Sequence, residues 1–290
     1  IEKTIKVIKS FSGRAPRGWF GPVSDLVRPR IGDVIAAYMA DVGGILTKQD
    51  LVDNRPQWLD PISVDYRDWT VWAPPAPCQA IQYLETLKLL EGFDIAGMGH
   101  NTADTLHTFI EAVKLACIDR ITYAALDASP TAGLLSAGYA EARRKLIGET
   151  SAVSMGDTFR IDEQEGEVAP GDPQPWMKNE CTTHFDTIDA EGNAVACTQS
   201  LGSGFGSAMV VPGTGITLNN FMRWFDRVQG SPNAIGPSQK NEMCVSPAQV
   251  WDKDGLRLLI GTPGSYGILQ TTPQMIMNVL DHGMNVQAAI

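Results

Sequence analysis

Glu180-Cys181-Thr182-Thr183-His184-Phe185-Asp186-Thr187-Ile188-Asp189 decides how this chain is read. An acidic, proline-containing segment stops at Cys181, and a run rich in β-formers starts at Thr182. Ala190-Glu191-Gly192-Asn193 follows as a turn, and a second apolar run extends to Ser200. The pattern predicts a β-hairpin with its turn at 189–193. A threonine opening a strand is ordinarily only a β-branched strand residue. If the bond before it is cut, it becomes a chain N-terminus holding a hydroxyl nucleophile and a free α-amine on one residue. That amine titrates at about 7.7–8.0 when unperturbed, where a general base is effective. Threonine paired with its own α-amine is a recognised activated nucleophile.

Upstream, residues 150–180 crowd Asp157, Asp162, Glu163, Glu165, Glu167, Asp172 and Glu180 among Pro170, Pro173 and Pro175. Low apolarity and like charge predict an exposed loop. A scissile bond needs such a setting, although an ordinary acidic loop has the same composition. Before the loop, apolar spacing predicts a helix over 30–42 that stops at Gly43-Gly44, a strand pair over 61–72, and a helix over 79–91. Asn101, with Asp104 three positions on, is the expected N-cap of a long helix reaching about Arg120, and a further helix covers 139–147. After the loop the chain turns β-rich. Gln249-Val250-Trp251 and Leu256–Ile260 flank an Asp-Gly turn as a second hairpin. Helices follow over about 272–281 and from Asn285 onward. Periodicity alone gives α plus β.

With 43% apolar residues over 290 positions, the chain can bury a sizeable core. A net charge of −10 argues against nucleic acid or an anionic membrane surface as partner. No run of 18 apolar residues occurs, so no transmembrane helix is expected. Cys78, Cys117, Cys181, Cys197 and Cys244 are odd in number and widely spaced, and read as buried free thiols. His100, His107, His184 and His282 show no metal-ligand spacing, so neither a metal nor a cofactor is expected.

Thr182-Thr183-His184-Phe185, residues 189–195, Thr198–Ser207, Val211–Asn220, Ser231-Pro232-Asn233-Ala234, Ser246-Pro247, Gly261–Gly264 and Val279–Asn285 occur in one order. With Gly44–Leu51, Leu89–Asp94 and Gly99–His107 upstream, this ordered set resembles the γ-glutamyltranspeptidase family of N-terminal-nucleophile hydrolases over most of the chain. The resemblance implies a four-layer αββα sandwich, incomplete in this chain. It implies that 1–149 is the C-terminal part of a large subunit, 150–181 a cleavable linker, and 182–290 the N-terminal part of a small subunit. Family members extend beyond both ends, so the chain reads as a fragment or one piece of a larger assembly. No signal peptide opens at residue 1, and a cytoplasmic location is the weak default.

The resemblance also assigns roles. Thr182 Oγ attacks the Cys181 carbonyl to cleave the chain, and later attacks the substrate amide. Ser200 supplies the supporting hydroxyl where threonine is usual. Gly264 and Ser265 match the two oxyanion glycines, whose backbone N–H groups do the work. The departures gather where the family clasps an amino-acid head. Gly202 replaces an asparagine, Phe221 and Trp224 replace a glutamine and an aspartate, and Met243 and Cys244 replace two serines. The large-subunit Pro-Ser-Ser-Gly-Gly loop becomes Pro75-Ala76-Pro77-Cys78-Gln79. Apolar replacements at a charged clasp abolish its discrimination, so the substrate expected is a small-molecule amide with a non-glutathione acyl group. A register shifted there would let Asp226 stand in for the lost acid, which keeps a true γ-glutamyltransferase or glutathione hydrolase open. A non-catalytic fragment is the third alternative. The expected partners are the two halves of its own precursor, with a homo-oligomer left open.

Overall fold

The computed structural model describes residues 28–54, 58–124, 129–149 and 182–290. The acidic segment 150–180 and Cys181 lie outside them. In chain order the helices are α1 (Arg28–Asp41), α2 (Lys48–Asp53), α3 (Ile81–Leu90), α4 (Ile95–Met98), α5 (Ala103–Tyr123), α6 (Thr131–Leu134), α7 (Ala137–Arg144), α8 (Ile268–Leu280) and α9 (Val286–Ala289). The strands are β1 (Ile62–Tyr66), β2 (Trp69–Ala73), β3 (Thr182–Ile188), β4 (Ala194–Ser200), β5 (Val210–Val211), β6 (Ile216–Thr217), β7 (Ala248–Asp252) and β8 (Gly255–Ile260). The chain forms two compact units.

The smaller unit holds α1, α2, the hairpin tip at 187–195, and 205–220 with β5 and β6. A capping box starts α2: the Thr47 hydroxyl accepts from Asp50 N, and the Asp50 carboxylate accepts from Thr47 N at 2.7 Å. At the tip, the Asp189 carboxylate accepts from the backbone N–H groups of Glu191 (3.1 Å) and Asn193 (2.8 Å), as the turn chemistry demands.

The larger unit is built on an antiparallel sheet in the order β1-β2-β7-β8. Alternation puts Val64, Tyr66, Val71, Ala73, Ala248, Val250, Leu258 and Ile260 on one buried face. Leu84, Leu87 and Leu90 of α3, Phe109, Ala112 and Leu115 of α5, and Ile268, Ile276 and Met277 of α8 complete this core. Burying each of the Val, Leu, Ile, Phe and Met side chains contributes about 1.5–3 kcal/mol. Two of the four strands precede Thr182 and two follow it. They meet in the β2–β7 ladder, Thr70 opposite Trp251, Val71 opposite Val250 and Trp72 opposite Gln249. Arg67, in the β1–β2 turn, adds an ion pair from Nε to Asp281 Oδ1 of 2.8 Å just past α8.

Several boundaries differ from the sequence expectation. Thr102, not Asn101, caps α5: its hydroxyl accepts from Thr105 N at 3.2 Å, while Asn101 sits at φ +53. That helix continues to Tyr123 rather than stopping near Arg120. Ser136 caps α7, so it starts at Ala137 and ends at Arg144. Helix α8 begins at Ile268, four residues earlier than expected, with Pro273 inside it. Burial of Ile268 and Leu269 anchors that first turn and outweighs the hydrogen bond that proline removes. Of the four described cysteines, all free, only Cys244 is fully buried.

Helix α3 is buried nearly all round and carries Glu85 into the core at 1% exposure. Burial, then the neighbouring Asp119, pushes its carboxyl up to about 10, against an opposing pull from Arg143. Asp119 is itself held by Tyr139 Oη and Arg143 Nη2, each at 3.0 Å. Glu85 is therefore neutral at pH 7 in the fold and ionised in the unfolded chain. A raised carboxyl pKa takes stability away as pH rises from the ordinary carboxylate range toward 10, by up to about 1.4 kcal/mol per pH unit. Glu85→Gln is expected to remove that slope, so its Tm advantage over the parent should widen from pH 5 to pH 8. Equal Tm differences at the two pH values would contradict this account.

Candidate active site

Thr182 is the first residue of β3 and is half-buried. At the far end of the hairpin Asp189 N donates to Asn193 O at 3.0 Å, and nearer its base His184 Nδ1 lies 2.8 Å from Thr198 Oγ1. Both pairs fit one register, and that register sets Thr182 across from Ser200. Ser200 Oγ accepts from Gly202 N at 2.9 Å. Gly202 makes that turn at φ +90, a conformation free of strain for glycine. Its carbonyl accepts from Arg223 Nη2 at 3.4 Å.

Two residues along the same strand, His184 is held at both ring nitrogens. Nε2 lies 3.0 Å from Asp186 Oδ2 and Nδ1 faces the Thr198 hydroxyl. A carboxylate only accepts, so Nε2 carries the hydrogen, and in the neutral ring Nδ1 accepts from Thr198. The ring lies against Gly261, the residue that follows β8. A Cβ there would stand 2.3 Å from Nδ1 and 2.4 Å from Cε1. Only glycine allows this approach.

Gly261 opens the loop that carries the expected oxyanion donors. Gly264 adopts φ 126 and ψ 30, and Ser265 sits at φ +57, in the left-handed region that glycine enters freely. Ser265 keeps a glycine-like conformation at a cost of order 1–3 kcal/mol. Gly267 N closes the turn on Gly264 O at 2.9 Å, a short 3-10 turn spans Ser265–Gly267, and α8 follows.

Phe221 and Trp224 occupy one 3-10 turn with ring centroids 6.0 Å apart. Trp224 meets Tyr266 at 5.2 Å, and the Arg120 guanidinium lies over the other partner of that pair, 4.9 Å from the Tyr266 centroid. Burial, then the charge of Glu242, pushes the Tyr266 phenol up to about 12. Met243 N donates to Pro77 O at 3.0 Å and Met243 O accepts from Gln79 N at 2.8 Å. The 75–79 loop and the 243–244 pair are thus joined. Cys244 turns inward and belongs to the core, at 3% exposure.

Asp226 follows the Phe221–Trp224 turn by two residues. It accepts from Ser231 Oγ and lines a cavity of about 390 Å³ with Arg120, Glu242, Gln82 and Tyr266. Arg120 Nε donates to Gln82 Oε1 at 3.0 Å. Burial raises the Glu242 carboxyl, while Gln79 and Arg120 lower it. Among the described residues, no group of three or more His, Cys, Asp or Glu side chains could hold a metal ion. No described helix is long and apolar enough to cross a membrane.

The hairpin therefore offers two facing hydroxyls, the 261–265 loop offers adjacent backbone donors, and the 221–224 turn offers an aromatic surface. The sequence assigns His184, Thr198, Gly261 and Tyr266 no role in the site, although the first three lie within its recognised motifs. Period-two alternation does put His184 on the Thr182 face, but nothing local signals its contact with Gly261.

A sequence profile described as Gamma-glutamyltranspeptidase matches residues 22–290. The chain is 32% identical over 265 residues to the "Acylase ACY 1 proenzyme" of Pseudomonas sp. (strain V22), covering 90% of this chain and 45% of that protein. It is 34% identical over 286 residues to the "Glutathione hydrolase proenzyme" of Escherichia coli (strain K12), covering 93% of this chain and 47% of that one. The cephalosporin acylase from Bacillus halodurans superposes with a TM-score of 0.75 at 34% identity, over 93% of this chain and 46% of the acylase. The chain spans about half the length of the curated relatives it matches.

Proposed function

Since the chain belongs to the γ-glutamyltranspeptidase family, we propose that it carries the nucleophile, Thr182, of a self-processing amidohydrolase. Cleavage of the Cys181–Thr182 bond by an N-to-O acyl shift and hydrolysis frees the α-amine of Thr182. That amine then takes the hydroxyl proton as Thr182 Oγ attacks an amide carbonyl. The amine component leaves with a proton, and water releases the acyl group. Residues 1–149, the 150–181 linker and residues 182–290 are then large-subunit, scissile and small-subunit segments, and the complete protein closes into a four-layer αββα sandwich.

The observation that carries this reading is the register of the β3–β4 hairpin, with Thr182 facing Ser200 at its base. The Gly264-Ser265 turn supports it with adjacent backbone N–H groups in a glycine-like conformation. For the substrate, the row Phe221–Trp224–Tyr266 favours an apolar acyl group. An ammonium and a carboxylate buried there without partners would cost several kcal/mol. γ-Glutamyl anilide and glutathione are expected to give a kcat/KM at least tenfold below that of amides whose acyl group lacks the α-amine. The comparison is made on the complete protein, because kcat/KM reports transition-state discrimination.

One observation favours a second reading. Asp226, Glu242 and Arg120 meet in one cavity, so a charged amino-acid head has candidate partners beside Tyr266. If the γ-glutamyl compound wins by tenfold or more, the protein is a γ-glutamyltransferase or glutathione hydrolase that uses Asp226.

A further inference from the structure

We propose that His184 is a positioning residue that sets the spacing between the nucleophile strand and the oxyanion loop through its contact with Gly261. The inference deepens the Thr182 reading and rests on it. Alternation places Thr182 and His184 on one face of β3, two residues apart. The ring cannot swing, because Asp186 holds Nε2 at 3.0 Å and Thr198 holds Nδ1 at 2.8 Å. Its side chain is only 8% exposed.

The ring's flat side then becomes a fixed surface, and the backbone of Gly261 rests on it. A Cβ at 261 would fall 2.3–2.8 Å from three ring atoms, closer than packed carbons tolerate. Gly261 is followed within the same short loop by Gly264 and Ser265. Any displacement of Gly261 therefore moves the N–H donors relative to the Thr182 hydroxyl. Misplacement of reacting groups by about 1 Å can cost on the order of 100-fold in rate. Thr198 connects the same network to the partner strand, since it sits two residues before Ser200 on the same face of β4.

A double-mutant cycle on the complete protein tests this. Gly261→Ala forces the ring and the loop apart and should lower kcat by about 10–100-fold with KM changed less than threefold. His184→Ala removes the surface and should lower kcat to a similar extent. In the double variant the new methyl occupies space the ring has vacated, so the second substitution should cost less than threefold beyond the first. Asp186→Asn weakens one anchor and should lower kcat by a few-fold. Tm follows the same pattern, with Gly261→Ala destabilising the parent but not His184→Ala, which reads the contact without activity. Additive losses in kcat, a loss confined to KM, or wild-type kcat in Gly261→Ala overturns the inference while leaving Thr182 in place. If the complete parent protein neither cleaves before Thr182 nor turns over substrate, the Thr182 reading fails and this inference falls with it.

Discussion

Thr182→Ala is expected to leave the complete protein as a single uncleaved band without measurable turnover. In the proposed mechanism one hydroxyl serves both steps, so the two losses should come together. The parent should yield two bands, the smaller beginning Thr-Thr-His-Phe by N-terminal sequencing. Ser200→Ala tests the facing hydroxyl separately. Ser200 Oγ accepts from Gly202 N, and the register sets it across from Thr182. If it also steadies the nucleophile through a hydrogen bond of charge-assisted strength, about 1.5–3 kcal/mol, its loss slows both steps by roughly 10–100-fold without abolishing either. A Thr182→Ala enzyme that still turns over after its halves are supplied as separate chains would remove Thr182 from the mechanism.

Val250→Asp is expected to abolish the fold, and with it the association of the two halves. Val250 is fully buried at the centre of β7, opposite Val71 on one side and Leu258 on the other. Its β2 partner precedes the proposed cleavage site and β7 follows it, so this ladder would hold the halves together once the chain is cut. An aspartate there loses the burial of the valine and places a carboxylate in the core without a partner. The cost exceeds about 4 kcal/mol, against a total stability of about 5–15 kcal/mol for a typical protein. Lys253→Glu, in the exposed turn between β7 and β8, is the control and should stay within about 0.5 kcal/mol of the parent. Urea unfolding and copurification of the two pieces measure both. A Val250→Asp protein with the parent's unfolding midpoint would show that the β2–β7 ladder does not carry the assembly.

Much of the local structure was legible in the chain. The hairpins at 182–200 and 248–260 follow from alternation around Asp189–Asn193 and Asp254-Gly255. Helix α3 was legible in the apolar spacing over 79–91, although its burial nearly all round was not. Helix α8 starts at Ile268 rather than at about 272, because burial of Ile268 and Leu269 sets the earlier start. The choice between Asn101 and Thr102 as cap depends on which residue takes the left-handed conformation, and composition does not distinguish them.

The sequence by itself determined the Thr182 strand start and the family, and it places Gly202, Phe221, Trp224, Met243 and Cys244 where the resemblance leads one to expect polar groups. These rest on residue type, spacing and order, all local or ordinal properties of the chain. The tertiary structure alone decided that His184 lies on Gly261, that Trp224 meets Tyr266 over Arg120, that Cys244 turns into the core, and that β2 pairs with β7. Each joins segments far apart in sequence. Periodicity says which face of a strand or helix is apolar, but which surface covers it is settled only when the whole core is packed.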